Sequence, residues 1–469
     1  MAENLLLFII LLPLLGGLFA TFSRSESSIG ASNAVSVAVW TIVCNILLIL
    51  LLFSILDISD NGFQLLYKFN WQIIPQVTVI LGTDVFALTL LLGIHLALLI
   101  GVLGIRHQAQ KAEIAFSLIL LCCFCGFCSA LDLFSFYTFF VLLIPPLFMQ
   151  IGLNGKNQTA SRFFTYNFIG SFLLLLPVVV LYTYKNSDIP IFSISEINID
   201  SRYGVFIWSG IFVSFMLRIP VWPFHYWISS VNTGLRNSLT FICASILPVS
   251  GLLGFMRFWP AEIPEQISSL APMFEVLCVL TMLYLAFVGY SSLKLHDKLF
   301  SYIFIYYLLY LLGIFAPTTI LQRNLAYSLF AFLLVFAALS VLVFHIEDQG
   351  EKALGSSEGI LCLLPKTSLA YGALLLAAIG FPVSALFWNN FIIVSQILTA
   401  NIYIGTAAVF TIMLAAVFLL QNLYGLKDKS CLSAADIKVS DIDNIQFSVT
   451  IVVLGILLLS FIKPLWFVF

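Results

Sequence analysis

Inside lipid an ionisable side chain is costly, so the few that fall within apolar sequence are where any chemistry of this chain would have to reside. The densest such stretch is Leu217 to Trp227, LRIPVWPFHYW. Arg218 closes an apolar run, Pro220 and Pro223 each remove a backbone donor, and His225 follows. A helix cannot continue through that pair, and a helix broken at membrane depth lines a polar cavity in most proteins that have one. Arg218 has two readings: the residual charge of a central polar axis, or a donor to the carbonyls that Pro220 frees. His225 reads first as a structural donor beside the break and second as a proton relay.

Other polar groups are scattered through later apolar runs. Lys298 stands at the start of one, where snorkelling to the interface explains it as well as an ion path does. Tyr302, Tyr306, Tyr307 and Tyr310 place hydroxyls along a helix face, read as a packing stripe before a polar path. Pro248 interrupts one run and Pro382 another, so both join Pro220 and Pro223 as expected helix breaks. Asn389 and Asn390 follow Pro382 and are expected to bond across helices, with transport the second reading. His95 reads as a satisfied buried side chain, and Asp84 and Asp132, at the starts of spans, read as helix caps. Cys122, Cys123, Cys125 and Cys128 lack the polar loop of a cluster site and read as packing residues.

The elements that must position these groups are membrane spans. Of 469 residues, 61% are hydrophobic and only 9% charged, a balance from which no water-facing surface could be made. Leu5–Phe22 reads as a first span, because the MAEN start is acidic and no cleavage site follows. Hydropathy gives about fourteen windows in all, among them Phe168–Tyr184, Asn324–His345, Thr367–Phe387 and Ile445–Val468. Gly62 to Leu81, aromatic and β-branched with a proline inside, reads as an extramembrane hairpin. Ser430 to Asn444 reads as a polar connection along the surface. Lys and Arg number 13 in connections after odd-numbered spans and 5 after even-numbered ones. The odd connections therefore face the cytoplasm, or the matrix in an organelle, and both termini face the other side. The net charge of −2 offers no nucleic-acid footprint. No phosphate loop, dinucleotide fingerprint or metal constellation is present in the sequence. No cofactor and no catalytic residue of its own are expected; any electron transfer would belong to partners.

At Leu217 to Trp227 the chain resembles the antiporter-like, proton-conducting membrane subunits of respiratory complex I, nearest to subunit M, called subunit 4 in mitochondria. That family's order is a Lys, a proline, PFH, a Trp, a polar loop, a span with a Lys at mid-membrane, and an Arg before an aromatic. Arg218, Pro220, Pro223, Phe224, His225, Trp227, Arg257 and Phe258 follow it, with Arg for the first Lys. Tyr67 to Leu92 is similar to the family's aromatic hairpin and G-x-D start of span 3, with Gly82 and Asp84 in place. Lys298 and Tyr302 resemble the polar start of span 10, and Gly380 to Pro382 with Ser384 the break of span 12.

The resemblance implies an all-α integral membrane protein of about fourteen transmembrane helices, with two inverted five-helix repeats and broken helices 7 and 12. In this numbering a single polytopic domain, 1–469, holds repeats of roughly 114–258 and 268–424, flanked by helices within 1–105 and 445–469. It also implies other membrane subunits as partners and a bacterial plasma or mitochondrial inner membrane as the location. Several functional positions depart from the pattern. The span 5 Glu falls at Phe140 or Val141, the span 7 Lys at Arg218 and the span 8 Lys at Val249. The span 12 Glu or Lys falls at Asn390; histidines fall at Asn232 and Tyr307. An Arg stays charged where a buried Lys can release its proton. The expected function is a membrane-arm subunit, diverged from the proton-translocating one. The alternatives are a non-conducting structural subunit, or a subunit of a related cation/proton antiporter or inorganic-carbon uptake complex.

Overall fold

Apolar runs of roughly 20 residues fold as helices in lipid because each backbone N–H and C=O must be met inside its own segment. The computed structural model describes residues 2–23, 29–57, 62–70, 78–153, 157–185, 201–232, 234–258, 270–316, 321–354, 357, 359–427 and 439–462. The first helices are α1 (Ala2–Phe22), α2 (Ile29–Ile55), α3 (Val85–Gly104), α4 (Lys111–Ser129), α5 (Leu133–Leu142) and α6 (Ile144–Leu153). α7 (Asn157–Lys185), α8 (Ser201–Arg218), α9 (Tyr226–Asn232), α10 (Ser238–Phe258), α11 (Ala271–Ser291) and α12 (Leu295–Phe315) follow. The last are α13 (Leu321–Leu354), α14 (Pro365–Ile379), α15 (Ala385–Ala400), α16 (Ile402–Lys427) and α17 (Asn444–Ile462). Among the described residues, 11 helical segments are long and apolar enough to cross a membrane, Leu133–Leu153 counting as one. The shorter apolar helices Gly204–Arg218, Pro365–Ile379 and Asn444–Leu459 lie in the remaining windows, whereas Ala385–Ala400 falls almost wholly beyond the window Thr367–Phe387.

Between α2 and α3 the expected hairpin is present. β1 (Gln64–Asn70) pairs antiparallel with β2 (Thr78–Thr83), Tyr67 opposite Leu81 and Lys68 opposite Ile80. Residues 71–77, which include the proline, lie outside the described residues. The hairpin also fastens the turn between α4 and α5. Leu131 N–H donates to Ile80 O at 2.8 Å, and Asp132 accepts the Ile80 N–H at 2.8 Å while capping α5 through Ser135 N–H at 2.7 Å. Asp84 likewise caps α3, accepting from Ala87 N–H at 3.1 Å.

Three features differ from the sequence reading. α10 runs unbroken through Pro248; the proline forgoes one bond, to the Ala244 carbonyl, and a helix packed on all sides continues past it. α7 begins at Asn157 and α13 ends at Leu354, each about ten residues beyond its hydropathy window, because a helix extends past the apolar stretch into polar surroundings. A further opening was not expected: Pro145 and Pro146 cannot donate to Val141 and Leu142, and the helix opens at Leu143 between α5 and α6.

α10 and α12 form the core, buried along nearly their whole lengths. Close approach to α10 needs glycine. A Cβ on Gly251 would lie 2.8 Å from the Ile219 side chain and 3.0 Å from Arg218 Cβ, and one on Gly254 would meet the Phe215 ring at 2.6 Å.

Connections of like parity gather on one face. Lys111 Nζ donates to Ser23 O at 2.5 Å, Arg106 pairs with Asp443 at 2.8 Å, and Asn232 donates to Asp297 at 2.6 Å. His296 pairs with Glu347 at 2.7 Å and Lys366 Nζ donates to Asn444 at 2.9 Å. All join connections after odd-numbered spans. The even face carries the hairpin and Arg257, whose guanidinium donates to the carbonyls of Ala130 and Cys128 at the C-terminus of α4, where a helix end favours positive charge.

Residues 439–443 lie along the odd face, with Ser440 N–H on Gln349 Oε1 at 3.1 Å; residues 430–438 lie outside the described residues. Asp441 there caps a distant helix, taking Lys366 N–H at 2.8 Å, Thr367 N–H at 3.0 Å and the Thr367 hydroxyl at 2.5 Å. Burial alone would raise its carboxyl, but the bonds from Thr367, Lys366 and Ile442 outweigh that and hold it below its ordinary value. A depressed carboxylate contributes stability above its unfolded pKa of about 4 and loses it as pH falls through the folded value. Asp441→Ala should therefore cost about 1 kcal/mol at pH 7, read as a lower thermal midpoint in detergent. The gap to the unaltered protein should close as the pH is brought below that carboxylate range.

Candidate functional site: two broken helices and their donors

α8 ends at Arg218 and α9 begins at Tyr226, with Pro220 and Pro223 between them. The break's loose backbone groups are met from outside the helix. Trp227 Nε1 donates to Leu217 O at 3.0 Å, and Trp222 N–H donates to the Thr281 hydroxyl of α11 at 2.8 Å. Arg218 turns away from the break. It is 1% exposed, and its Nη2 donates across to Phe140 O of α5 at 2.5 Å and to the Ser171 hydroxyl of α7 at 3.3 Å. Its guanidinium carbon sits 4.1 Å from the centre of the Phe140 ring, a cation–π geometry worth up to about 2 kcal/mol when desolvated.

Phe140 is one of the two positions at which the resemblance places the span 5 Glu. The Phe140 ring packs against Phe127, Phe136 and Phe215, with centroids 5.8–6.4 Å apart. Among the described residues no carboxylate pairs with Arg218, and its Nε and Nη1 lack partners. The opening at Pro145 and Pro146 lies one turn beyond the carbonyl that Arg218 takes. The sequence reading passed over that pair, although two adjacent prolines in an apolar run are a plain signal of it.

The second break separates α14 from α15. Gly380, at φ 94°, ends α14 in the left-handed conformation that suits glycine, and Ser384 caps α15, accepting from Phe387 N–H at 3.3 Å. Pro382 is the residue whose N–H a continuing helix would have given to the Ala378 carbonyl. Tyr302 of α12 supplies that hydrogen instead, its hydroxyl donating to Ala378 O at 2.6 Å. Tyr307 donates to Ser245 O at 2.7 Å, in the turn that Pro248 loosens. Tyr310 donates to Asn390 Oδ1 at 3.2 Å. The tyrosine face of α12 thus supplies hydroxyls to backbone carbonyls and an amide as well as packing. Asn389 makes none of these bonds. At the odd-face end of α12, Lys298 Nζ donates to Asn422 Oδ1 at 2.5 Å.

The proposed path residues therefore form two groups. Tyr302 and Tyr307 of α12 and Asn390 of α15 form one, while Arg218 of α8 bonds to α5 and α7 in the other. His225 joins neither group: its ring lies 4.8 Å from that of Tyr284, and its Nδ1 has no partner among the described residues. His95 is satisfied in place, Nδ1 at 2.7 Å from Leu91 O and Nε2 at 3.1 Å from Asn45 Nδ2. Cys122, Cys123, Cys125 and Cys128 are buried thiols of α4. The sequence reading missed Glu113, which is 1% exposed in the first turn of α4; its KAEI setting resembles an interfacial helix start.

A many-span helical bundle with two broken helices defines a class of membrane transport-type subunits. Residues 130–415 match the family described as "NADH:quinone oxidoreductase/Mrp antiporter, TM", and the chain belongs to that family. NADH-ubiquinone oxidoreductase chain 4 of Arabidopsis thaliana is 26% identical over 378 residues, 77% of this chain and 74% of the relative. NADH-quinone oxidoreductase subunit M of Rickettsia prowazekii is 23% identical over 423 residues, 88% of this chain and 86% of the relative. Among solved structures, a chain of respiratory complex I from Thermus thermophilus superimposes with a TM-score of 0.85 at 19% identity, over 98% of this chain and 96% of that one. A chain of the Mrp complex from Dietzia does so at 0.79 and 15%, over 99% and 95%. This chain is a multi-pass, antiporter-like membrane subunit akin to complex I subunit M/4.

Two outcomes are expected from this geometry. Tyr302→Phe leaves the Ala378 carbonyl buried without a donor and should cost about 1–3 kcal/mol, measured by thermal unfolding in detergent. Arg218→Met exchanges a buried charge that lacks a carboxylate partner for an apolar side chain of similar length. Losing the donor to Phe140 O costs about 1–3 kcal/mol, and relief from burying a charge without a carboxylate partner offsets part of it, so the thermal midpoint of this variant should fall less than that of Tyr302→Phe.

Proposed function

We propose that this chain is a membrane-arm subunit of a complex I-like or antiporter-like assembly, and that its central axis is a fixed framework with no proton relay in it. Pairing α5 with α6, α8 with α9, and α14 with α15 supports a count of fourteen spans, and the family resemblance implies the two-repeat organisation. The odd-connection face is the cytoplasmic or matrix side, from the excess of Lys and Arg in those connections. Its partners are other membrane subunits, and NADH chemistry, where the assembly has it, lies in those partners.

The observation that carries this reading is Arg218 seated on the ring and carbonyl of Phe140. A relay needs a group that takes up and releases a proton, and an arginine without an acidic partner does neither at physiological pH. In the second repeat Tyr302, Tyr307 and Tyr310 spend their hydroxyl hydrogens on protein acceptors. That arrangement completes the fold and offers no titrating group near pH 7.

Affinity capture on a C-terminal tag, with mass spectrometry, should recover further membrane subunits. Recovery of the chain alone would count against an assembly role. In vesicles holding the captured assembly, Arg218→Met should leave proton flux unchanged and assembly intact. Abolished flux with normal assembly would make Arg218 a working charge and refute the fixed-framework reading.

A further inference from the structure

α4 enters the membrane with a carboxyl group that the central axis does not use. Both oxygens of Glu113 accept from one nitrogen, Asn237 Nδ2, each at 3.1 Å. Asn237 is fixed by its own role, since its Oδ1 accepts Thr240 N–H at 2.9 Å in the first turn of α10. Gln150 of α6 is fixed too, its Nε2 donating to the Glu113 backbone carbonyl at 3.0 Å. Two atoms here have no partner among the described residues, Gln150 Oε1 and the Thr240 hydroxyl, and both residues are 0% exposed. Each amide nitrogen of the cluster is spent. A hydroxyl can donate or accept, but an amide oxygen only accepts. The hydrogens left over are the Thr240 O–H and the Cys243 S–H, neither of them bonded to the Gln150 amide oxygen, and one proton on Glu113 provides an O–H donor for it.

Besides Asn237, the Gln110 backbone N–H and the charge of Arg236 act on the Glu113 carboxyl. No cation pairs with it among the described residues. Arg236 lies ahead of α10 and is exposed, α10 itself presents the Cys243 thiol, and α6 presents only the Gln150 amide. On α4, Lys111 is spent on Ser23 O. A cavity of about 310 Å³ lies one turn along α4, lined by Phe116, Met149, Gly152, Asn157 and Ser161, with neither Glu113 nor Gln150 in its lining. Phe116 follows Glu113 by one turn, Met149 and Gly152 flank Gln150, and a Cβ on Gly152 would meet open space.

We propose that Glu113 is a proton-carrying carboxyl, standing as the neutral acid at neutral pH with its O–H given to the Gln150 amide oxygen. It exchanges that proton with the odd-connection side through the cavity between α4, α6 and α7. This concerns the end of the first repeat and is independent of whether protons pass Arg218.

The test is infrared difference spectroscopy on the intact assembly in vesicles, comparing the unaltered protein with Glu113→Gln at pH 7. A carbonyl stretch of a protonated carboxyl should be present in the first and absent from the second. Gln150→Leu should move that band to higher frequency by removing its hydrogen-bond partner. Should Glu113→Gln fail to accumulate, the Gln150→Leu shift decides alone, and no shift overturns the proposal. A difference made only of ionised carboxylate bands overturns it as well. Filling the cavity with Gly152→Leu should slow the deuterium shift of the band at least tenfold, and an unchanged rate removes the proposed route. None of these readouts depends on proton flux, so they stand apart from the fixed-framework test.

Discussion

A backbone carbonyl set loose by proline inside a membrane has no water to turn to, and leaving it unmet costs several kcal/mol. Much of the polar architecture of this chain follows from that constraint. Leu217 O goes to the Trp227 indole and Ala378 O to the Tyr302 hydroxyl. Ser245 O goes to Tyr307 and Phe140 O to Arg218, carbonyls within about a turn of Pro248 and Pro145 though not the ones those prolines free. Each donor comes from another helix or from beyond the break, so every opening in a helix is also a fastening between helices. α12, which serves the α14–α15 break through Tyr302 and the unbroken α10 through Tyr307, is buried along its length.

The two groups of donors, around Arg218 and around α12, meet the same requirement with different chemistry. The second uses neutral hydroxyls and an amide, which satisfy the carbonyls at small electrostatic cost. The first uses a guanidinium, whose charge spreads over a planar group and rests on an aromatic face. The surrounding phenylalanines exclude water from that charge, and the site becomes a fixed positive point in the membrane interior. A lysine in the same place would have a compact ammonium suited to losing its proton on burial. The replacement of one cation by another therefore changes what the position can do while preserving where the charge stands.

Much of the architecture could be read from the amino acids because lipid permits so few solutions. Apolar length located the helices, the aromatic and β-branched run located the hairpin, and Pro220, Pro223 and Pro382 each fell between helices in the structure. Asp84 and Asp132 were legible as caps for the same local reason: short acidic side chains at the starts of apolar helices have backbone N–H groups within reach. Pro248 was misread because a proline's effect depends on its neighbours, and only the fold brings Tyr307 beside that turn. The partner of Arg218 was invisible because it is a ring and a main-chain carbonyl some 78 residues away. Neither announces itself as a binding group in sequence. Glu113 escaped notice because an acidic residue in a first helical turn is ordinary, and its burial arises only when α6 and α10 close over it.

The Asp441 cap has a consequence for the order in which the molecule is made. Its partner, the N–H of Lys366, lies 75 residues earlier in the chain. A ribosome therefore delivers α14, α15 and α16 to the membrane well before the carboxylate that closes the first turn of α14 exists. Until the segment ahead of α17 emerges, α14 waits with an open end, and a chain truncated there would leave it so. Arrival of Asp441 thus completes helices already inserted.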